Sequence, residues 1–316
     1  MASDDAVRAT NDDAAQCKRF AVEKGYWKDP FITLMIPRSQ NMHAPEISRG
    51  YYARVTAIRL LLQKFIKLTD GKCQVVNLGA GFDTTYWLFK AAGISPKSFI
   101  EVDFPAITSK KCYLIRRGES LLNGIASDED DVQISKSEIH STDYHLVSAN
   151  LREIKELETK LHDCHVDKSL PTVFITECVL VYVDLDKTNV MLKWISDNFT
   201  SAYFINYEQV NMNDKFGDVM IENLRQRECS LPGVAACTSL QTQKSRFTDT
   251  GWEGADGMEM THVYKCLPQA DIHRIERLEF MDERELLDQL FSHYCIVWAW
   301  KDPHKVGIAN IDLTLT

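Results

Sequence analysis

Gly79 and Gly81, within Val75-Val76-Asn77-Leu78-Gly79-Ala80-Gly81-Phe82-Asp83-Thr84-Thr85, precede an acid that lies 24 residues beyond the first glycine: Asp103, closing Ser98-Phe99-Ile100-Glu101-Val102-Asp103. An apolar run, a glycine turn, a helix and a second run ending in an acid, spaced at roughly 20 residues, is the pattern of nucleotide-binding βαβ units. Such a unit holds an adenosine, with the carboxylate on the ribose hydroxyls. The dinucleotide fingerprint needs a third glycine at position 84, where this chain has Thr84. A two-glycine turn lets a small ligand approach but is poorly matched to a pyrophosphate at the helix N-terminus, which favours S-adenosylmethionine over NAD. The competing reading is a tight turn that merely needs positive φ.

Other polar residues stand where a parallel sheet would present them to that ligand. Asn150 with Leu151 would offer an amide and a backbone group to the adenine edge, or Asn150 would cap the turn ahead of Arg152 and Glu153. Glu177, at the end of an apolar run, would face the donor's ammonium group or cap the turn that follows, with Tyr182 near the methyl group. A sulfonium methyl is already activated, so its transfer needs chiefly an acceptor held in line, and positioning supplies up to roughly 7–11 kcal/mol in ideal cases. A carboxylate acceptor needs no general base, only a cation to orient it. Arg54 is the first candidate for that role, Lys18 the second, and a surface ion pair is the alternative for both.

The elements that must position these groups follow from periodicity. Residues 1–70 carry helical spacing punctuated by Pro30, Pro37 and Pro45, and read as three helices forming an N-terminal cap. The last of them carries Ile47, Tyr51, Val55, Ile58, Leu62 and Phe65 as a stripe toward the sheet. Residues 71–210 alternate β-rich runs (75–79, 98–103, 144–149, 171–177, 201–207) with helical stretches, which implies an α/β fold, a doubly wound and mostly parallel sheet with its ligand at the carboxyl ends of the strands. Residues 211–270 read as a helical insertion without a strand, a lid on the substrate side. Residues 271–316 supply a helix from Asp282 to Leu290 and a strand from Tyr294 to Trp300 that completes the core sheet.

Composition narrows the class. A formal net charge of −9 disfavours a nucleic-acid surface. Nine scattered cysteines without zinc spacing read as reduced thiols of a cytoplasmic protein, and no metal is expected. Cys178 reads as a core residue. The acidic start, with no apolar run near the 20 or so residues of a membrane span, points away from a leader or an anchor. Ser127-Asp128-Glu129-Asp130-Asp131 reads as a solvated loop.

Together, Lys18-Arg19-Phe20-Ala21-Val22 with Gly25-Tyr26-Trp27, Arg49-Gly50-Tyr51-Tyr52-Ala53-Arg54-Val55, Asn77-Leu78-Gly79-Ala80-Gly81, Glu177-Cys178-Val179-Leu180-Val181-Tyr182 and Ile205-Asn206-Tyr207-Glu208-Gln209-Val210-Asn211-Met212 resemble the leucine carboxyl methyltransferases. The resemblance runs from about residue 16 almost to the C-terminus. It implies the class I S-adenosylmethionine-dependent methyltransferase fold. It also implies methyl esterification of the α-carboxylate of the C-terminal leucine of type 2A protein phosphatase catalytic subunits, with release of S-adenosylhomocysteine and an influence on holoenzyme assembly. Lys18, Arg54, Gly79, Gly81, Asp103, Asn150, Leu151 and Glu177 would bind the donor, Arg54 and Tyr182 would act in catalysis, and Tyr207 and Glu208 would wall the acceptor pocket. The partner is expected to be the phosphatase tail, met by a monomer.

A sister enzyme acting on a modified guanosine in transfer RNA carries an added C-terminal propeller, for which a chain ending at Thr316 leaves no room. A non-catalytic phosphatase-binding protein and a dehydrogenase are the remaining alternatives. One position departs from the family: Asn150 stands where an aspartate is common. Asn150→Ala is expected to weaken donor binding measured by calorimetry; unchanged affinity in both Asn150→Ala and Asn150→Asp would remove the residue from the site.

Overall fold

Burial on both faces turns the short β-rich runs into strands. Gln74–Leu78 is buried at all five positions, and the other parallel strands nearly so, as expected where helices cover both sides of a sheet. The computed structural model describes residues 4–126 and 132–314; the acidic stretch read as a solvated loop lies outside them. In chain order the first elements are α1 (Asp4–Glu23), α2 (Ile32–Met35), α3 (Pro45–Leu68), β1 (Gln74–Leu78), α4 (Thr85–Ala91), β2 (Ser98–Asp103), α5 (Pro105–Arg117) and α6 (Glu119–Ile125). There follow β3 (Gln133–Ile134), β4 (Ile139–His140), β5 (Tyr144–Ser148), α7 (Ile154–Asp163), β6 (Thr172–Glu177), α8 (Leu185–Asn198), β7 (Ala202–Gln209) and α9 (Lys215–Gln226). The chain ends through α10 (Leu240–Thr248), β8 (Gly254–Glu259), α11 (Met260–Cys266), α12 (Gln269–Ile275), α13 (Arg284–Ser292) and β9 (Tyr294–Lys301).

The described residues form one nine-stranded sheet in the order β3-β4-β5-β2-β1-β6-β7-β9-β8. Strands β5, β2, β1, β6 and β7 run parallel. From β1 the chain winds outward through β2 to β5, then returns to β6 and β7 on the other side, which puts the switch point between β1 and β6. That is where an open α/β sheet forms its ligand crevice. Register levels the strand ends: Leu78 pairs with Val102 and with Thr176. Gly79, Asp103 and Glu177 therefore leave the sheet side by side. This is the doubly wound, mostly parallel sheet expected from the sequence.

Two hydrophobic cores lie on opposite faces. One joins α3 to Val75, Phe99, Ile205 and Trp298; the other joins α7 and α8 to Val76, Ile100, Phe174 and Phe204. Helix α3 buries more than one stripe, because α1 and α13 also pack on it. Tyr52, Ala53, Ala57 and Leu61 are as buried as Val55, Ile58, Leu62 and Phe65, while Ile47 and Tyr51 are only half-buried. No described helix is long and apolar enough to cross a membrane.

The structure corrects the reading of residues 211–270 as strand-free. Gly254–Glu259 is β8, an edge strand antiparallel to β9. Its sequence, Gly-Ala-Asp-Gly-Met-Glu, lacks the β-branched and aromatic residues that mark strands; pairing with β9 makes it one, and Gly254 leaves room for the Trp300 ring. The β3–β4 hairpin, two residues per strand, was too short to register as a pattern.

Beneath the glycine turn lies a buried ion pair. Glu101 of β2 and Lys111 of α5 are fully buried and 2.6 Å apart, and the Tyr144 hydroxyl donates to Glu101 Oε2 at 2.6 Å. Lys111 Nζ also donates to the Asp83 carbonyl at 2.8 Å, bracing the turn. Burial pushes the Glu101 carboxyl up to about 7, against the pull of Lys111. Removing one partner of such a pair strands the other charge, so Lys111→Met is expected to lower the unfolding free energy by about 3–5 kcal/mol in urea titrations. Adding Glu101→Leu should recover part of that loss. Because the folded-state pKa is raised, the contribution of Glu101 is present below 4.5 and fades as pH rises through 7; Glu101→Gln should flatten that slope.

Candidate functional site

The glycine turn owes its shape to two neighbours that leave no room for Cβ atoms. Gly79 and Gly81 have φ of +72° and +53°. A Cβ at Gly79 would lie 2.5 Å from Val179 Cγ2, and one at Gly81 would lie 2.2 Å from Asn11 Oδ1 of α1. The turn's amides are already engaged. Gly79 and Ala80 donate to the Val102 carbonyl and Asp83 to the Ala80 carbonyl. Gly81 donates to Asp103 Oδ2 at 2.7 Å and Phe82 to Asn11 Oδ1 at 3.1 Å. From Gly79 through Asp83, then, the turn offers shape rather than a nest of free N–H groups, and a pyrophosphate would find few donors there. Thr84, in place of the third glycine, is buried and donates to Asp29 Oδ2 at 2.6 Å.

Asp103 receives a second backbone N–H, from Phe104 at 2.7 Å on Oδ1. Burial raises its pKa while these N–H groups lower it. Each carboxylate oxygen keeps a lone pair for a ligand hydroxyl. A cavity of about 370 Å³ opens beside it, lined by residues of the glycine turn, Asp103, Asn150, Leu151, Glu177 and Tyr182. Asn150 Oδ1 accepts from the Arg152 N–H at 3.1 Å, so here the side chain caps the turn while remaining on the cavity wall.

At the other end of the cavity Glu177 is held between two cations. Lys18 Nζ lies 2.8 Å from Oε1 and 3.0 Å from Oε2, and Arg54 Nε donates to Oε1. Burial opposes ionisation of Glu177, but Arg54 and Lys18 outweigh it and hold the carboxyl down to about 2. Glu177, expected from the sequence to face a donor's ammonium or to cap a turn, is thus paired within the chain by Lys18 and Arg54. The trio carries one excess positive charge. The Arg54 guanidinium stacks on Tyr207 at 4.7 Å and on Tyr51 at 5.1 Å. Among the described residues no hydrogen-bond partner takes Arg54 Nη1, which leaves a donor for a ligand carboxylate in the cavity that Arg54 lines.

The structure moves two predicted acceptor residues out of the wall. Tyr207 lies behind Arg54, stacked on Tyr294 with ring centroids 5.4 Å apart. Strand β7 continues to Gln209, so Glu208 is inside the strand rather than past its end, and alternation turns it to the opposite face. Glu208 is fully buried, accepting from the Val181 N–H at 3.0 Å and the Gln209 N–H at 3.0 Å. It clamps the one-turn 3₁₀ segment Leu180–Tyr182 that delivers Tyr182 to the cavity. Cys178 packs against the core as read from the sequence and also lines the cavity, with a left-handed backbone, φ +56°, and burial pushes its thiol up to about 12.

Sequence reasoning missed the roof and the far wall. Helix α1 lies over the turn through Asn11, and ion pairs tie it down: Asp4 with Arg152 at 2.8 Å, Asp12 with Lys110 at 3.1 Å, and Asp13 with Arg227. These pairs are solvent-exposed and each contributes little alone. The Asn11 contact had no signal in the sequence beyond a polar residue on an amphipathic helix. A second pocket of about 330 Å³, lined by Phe216, Val219, Met220 and Leu224 of α9, shares Tyr182, Gln209, Leu224 and Tyr294 with the first.

The family model for leucine carboxyl methyltransferase matches residues 6–196. The chain is 46% identical over 310 residues to leucine carboxyl methyltransferase 1 of Rattus norvegicus, covering 98% of this chain and 93% of that protein. It is 38% identical over 299 residues to an Arabidopsis thaliana homologue, covering 94% of this chain and 90% of that protein. A more distant likeness, 32% over 301 residues, is to tRNA wybutosine-synthesizing protein 4 of Homo sapiens, which covers 93% of this chain but 44% of that protein. With a matched family model across most of its length, and relatives aligned nearly end to end, the chain belongs to the leucine carboxyl methyltransferase family.

Proposed function

We propose that the chain transfers a methyl group from S-adenosylmethionine to the α-carboxylate of a C-terminal leucine, the acceptor being the tail of type 2A protein phosphatase catalytic subunits. The observation that carries this reading is the Lys18–Glu177–Arg54 cluster. It sets net positive charge at the switch point, between an adenosine-sized crevice ending at Asp103 and an apolar pocket beneath α9.

The residues fit such a donor. Gly79 and Gly81 form a cradle that a Cβ would fill, Asp103 keeps lone pairs for ribose hydroxyls, and Asn150 with Leu151 borders the crevice where an adenine edge would lie. When bound, the donor supplies a methyl group already activated on a sulfonium. The chain's own residues then hold and orient. An acceptor carboxylate is anionic at neutral pH and needs no base, so the remaining donors of Arg54 suffice to align it, and pinning by Glu177, Tyr51 and Tyr207 keeps that guanidinium from wandering. Tyr182, held by the Glu208 clamp, walls the junction of the two pockets, and α1 covers the crevice against water. Residues 211–270 act as the substrate-side lid, with the apolar face of α9 receiving the leucine side chain.

The test is incubation with methyl-labelled S-adenosylmethionine and either the phosphatase catalytic subunit or transfer RNA. A base-labile ester on the terminal leucine is expected; label on transfer RNA, or none at all, overturns the proposal. Arg54→Ala should lower kcat/KM by roughly 100-fold, since a small loss of alignment has that effect on rate, in a chain that remains folded by circular dichroism because Lys18 still pairs Glu177; near-normal turnover would exclude Arg54. Met220→Ala should raise KM for a leucine-ended peptide about tenfold, with S-adenosylhomocysteine affinity unchanged by calorimetry. An equal loss of product affinity would assign the α9 pocket to the donor instead.

A further inference from the structure

At the sheet edge away from β8, three side chains from two neighbouring strands and the end of a helix converge with no part in the chemistry above. His140 of β4 and His145 of β5 are directly paired across the antiparallel ladder, so both imidazoles project from one face of the sheet. Their Nδ1 atoms are 3.1 Å apart. Over them sits Cys164, the residue that caps the C-terminus of α7, and the three ligand atoms all lie within 4.8 Å of one another. His145 and Cys164 are buried, while His140 is half-buried on the outer side.

We propose that His140, His145 and Cys164 form a binding site for one divalent transition-metal ion, zinc by the chemistry of its donors. Two imidazole nitrogens and a thiolate are the set that selects zinc over calcium or magnesium, which take oxygen. Bonds of about 2.0–2.1 Å to nitrogen and about 2.3 Å to sulfur put tetrahedral ligand atoms roughly 3.3–3.7 Å apart, so the set closes with about 1 Å of side-chain movement. Water takes the fourth position on the half-exposed side. Glu138, held by Lys160 at 2.8 Å, stands 4.0 Å from His140 Nε2, the ring nitrogen opposite the ligating one, and would come within hydrogen-bond reach only as that ring moves. The ion would clip the β4–β5 hairpin to the end of α7, and these elements flank Ala149, Asn150 and Leu151 on the cavity wall. The spacing of 140, 145 and 164 hides the site from any linear zinc signature, which is why none was expected.

Titration of the metal-stripped full-length chain tests this, with Zn²⁺ followed by calorimetry and Co²⁺ by absorption. One ion per chain is expected, with a cobalt–thiolate charge-transfer band and a thermal midpoint raised by zinc. Cys164→Ser and His140→Asn should each weaken zinc binding at least about tenfold, and Cys164→Ser should abolish the band. His140→Asn keeps the test alive if the serine variant does not fold. Another thiol beside an imidazole is Cys17, 3.8 Å from His43 Nδ1, and Cys17→Ser should change nothing. Absence of stoichiometric binding, affinity unchanged in His140→Asn, a band that survives Cys164→Ser, or one that vanishes in Cys17→Ser overturns the proposal.

Discussion

One carboxylate shared by two cations holds the site together. Glu177 leaves the end of β6 and meets Lys18 of α1 and Arg54 of α3, which lie 159 and 123 residues away in sequence. Both N-terminal helices are thereby drawn to the switch point of the sheet, and the crevice between β1 and β6 acquires its end wall. An ion pair at this depth contributes little net stability, because desolvation offsets most of the Coulomb attraction. Its value is placement: the anion fixes two flexible cationic side chains and leaves one positive charge over. Aromatic rings of Tyr51 and Tyr207 complete the mount for the guanidinium.

The same logic of prior commitment governs the glycine turn. Each backbone donor from Gly79 to Asp83 is used before any ligand arrives, by the Val102 and Ala80 carbonyls, Asp103 and Asn11. A dinucleotide site needs those donors free for its pyrophosphate. This turn is braced instead, from below by Lys111 on the Asp83 carbonyl and from above by α1. What it offers is a concave surface next to Asp103, suited to a ligand recognised by shape and by its ribose. Thr84 belongs to the same arrangement: its side chain fills the position of the third glycine and is tied to Asp29 in the segment between α1 and α2.

Much of this was legible in the residues. The parallel strands, the glycine turn, the acid at the end of β2 and the three N-terminal helices declare themselves through local rules: period, β-branched runs, turn chemistry, proline punctuation. Lys18, Arg54 and Glu177 were identifiable as charges of the right kind, though not as partners of one another. Where strength came from pairing rather than composition, the reading failed. Strand β8 has two glycines and no β-branched residue, and exists because β9 offers it a ladder. Tyr207 and Glu208 were placed by their position near a strand end, but β7 runs two residues further, to Gln209, and alternation sends one behind Arg54 and the other to the far face.

The amino-acid sequence by itself determined the class of fold and most of the polar residues gathered at the strand ends, because periodicity and the spacing from glycine turn to acid are properties of neighbours along the chain. Tertiary structure alone decided which charges meet, which donors stay free, that Asn11 of α1 roofs the turn and that α9 opens a second pocket beside Tyr182. Those are contacts between segments more than thirty residues apart, and no local pattern encodes the distance at which such segments come to rest.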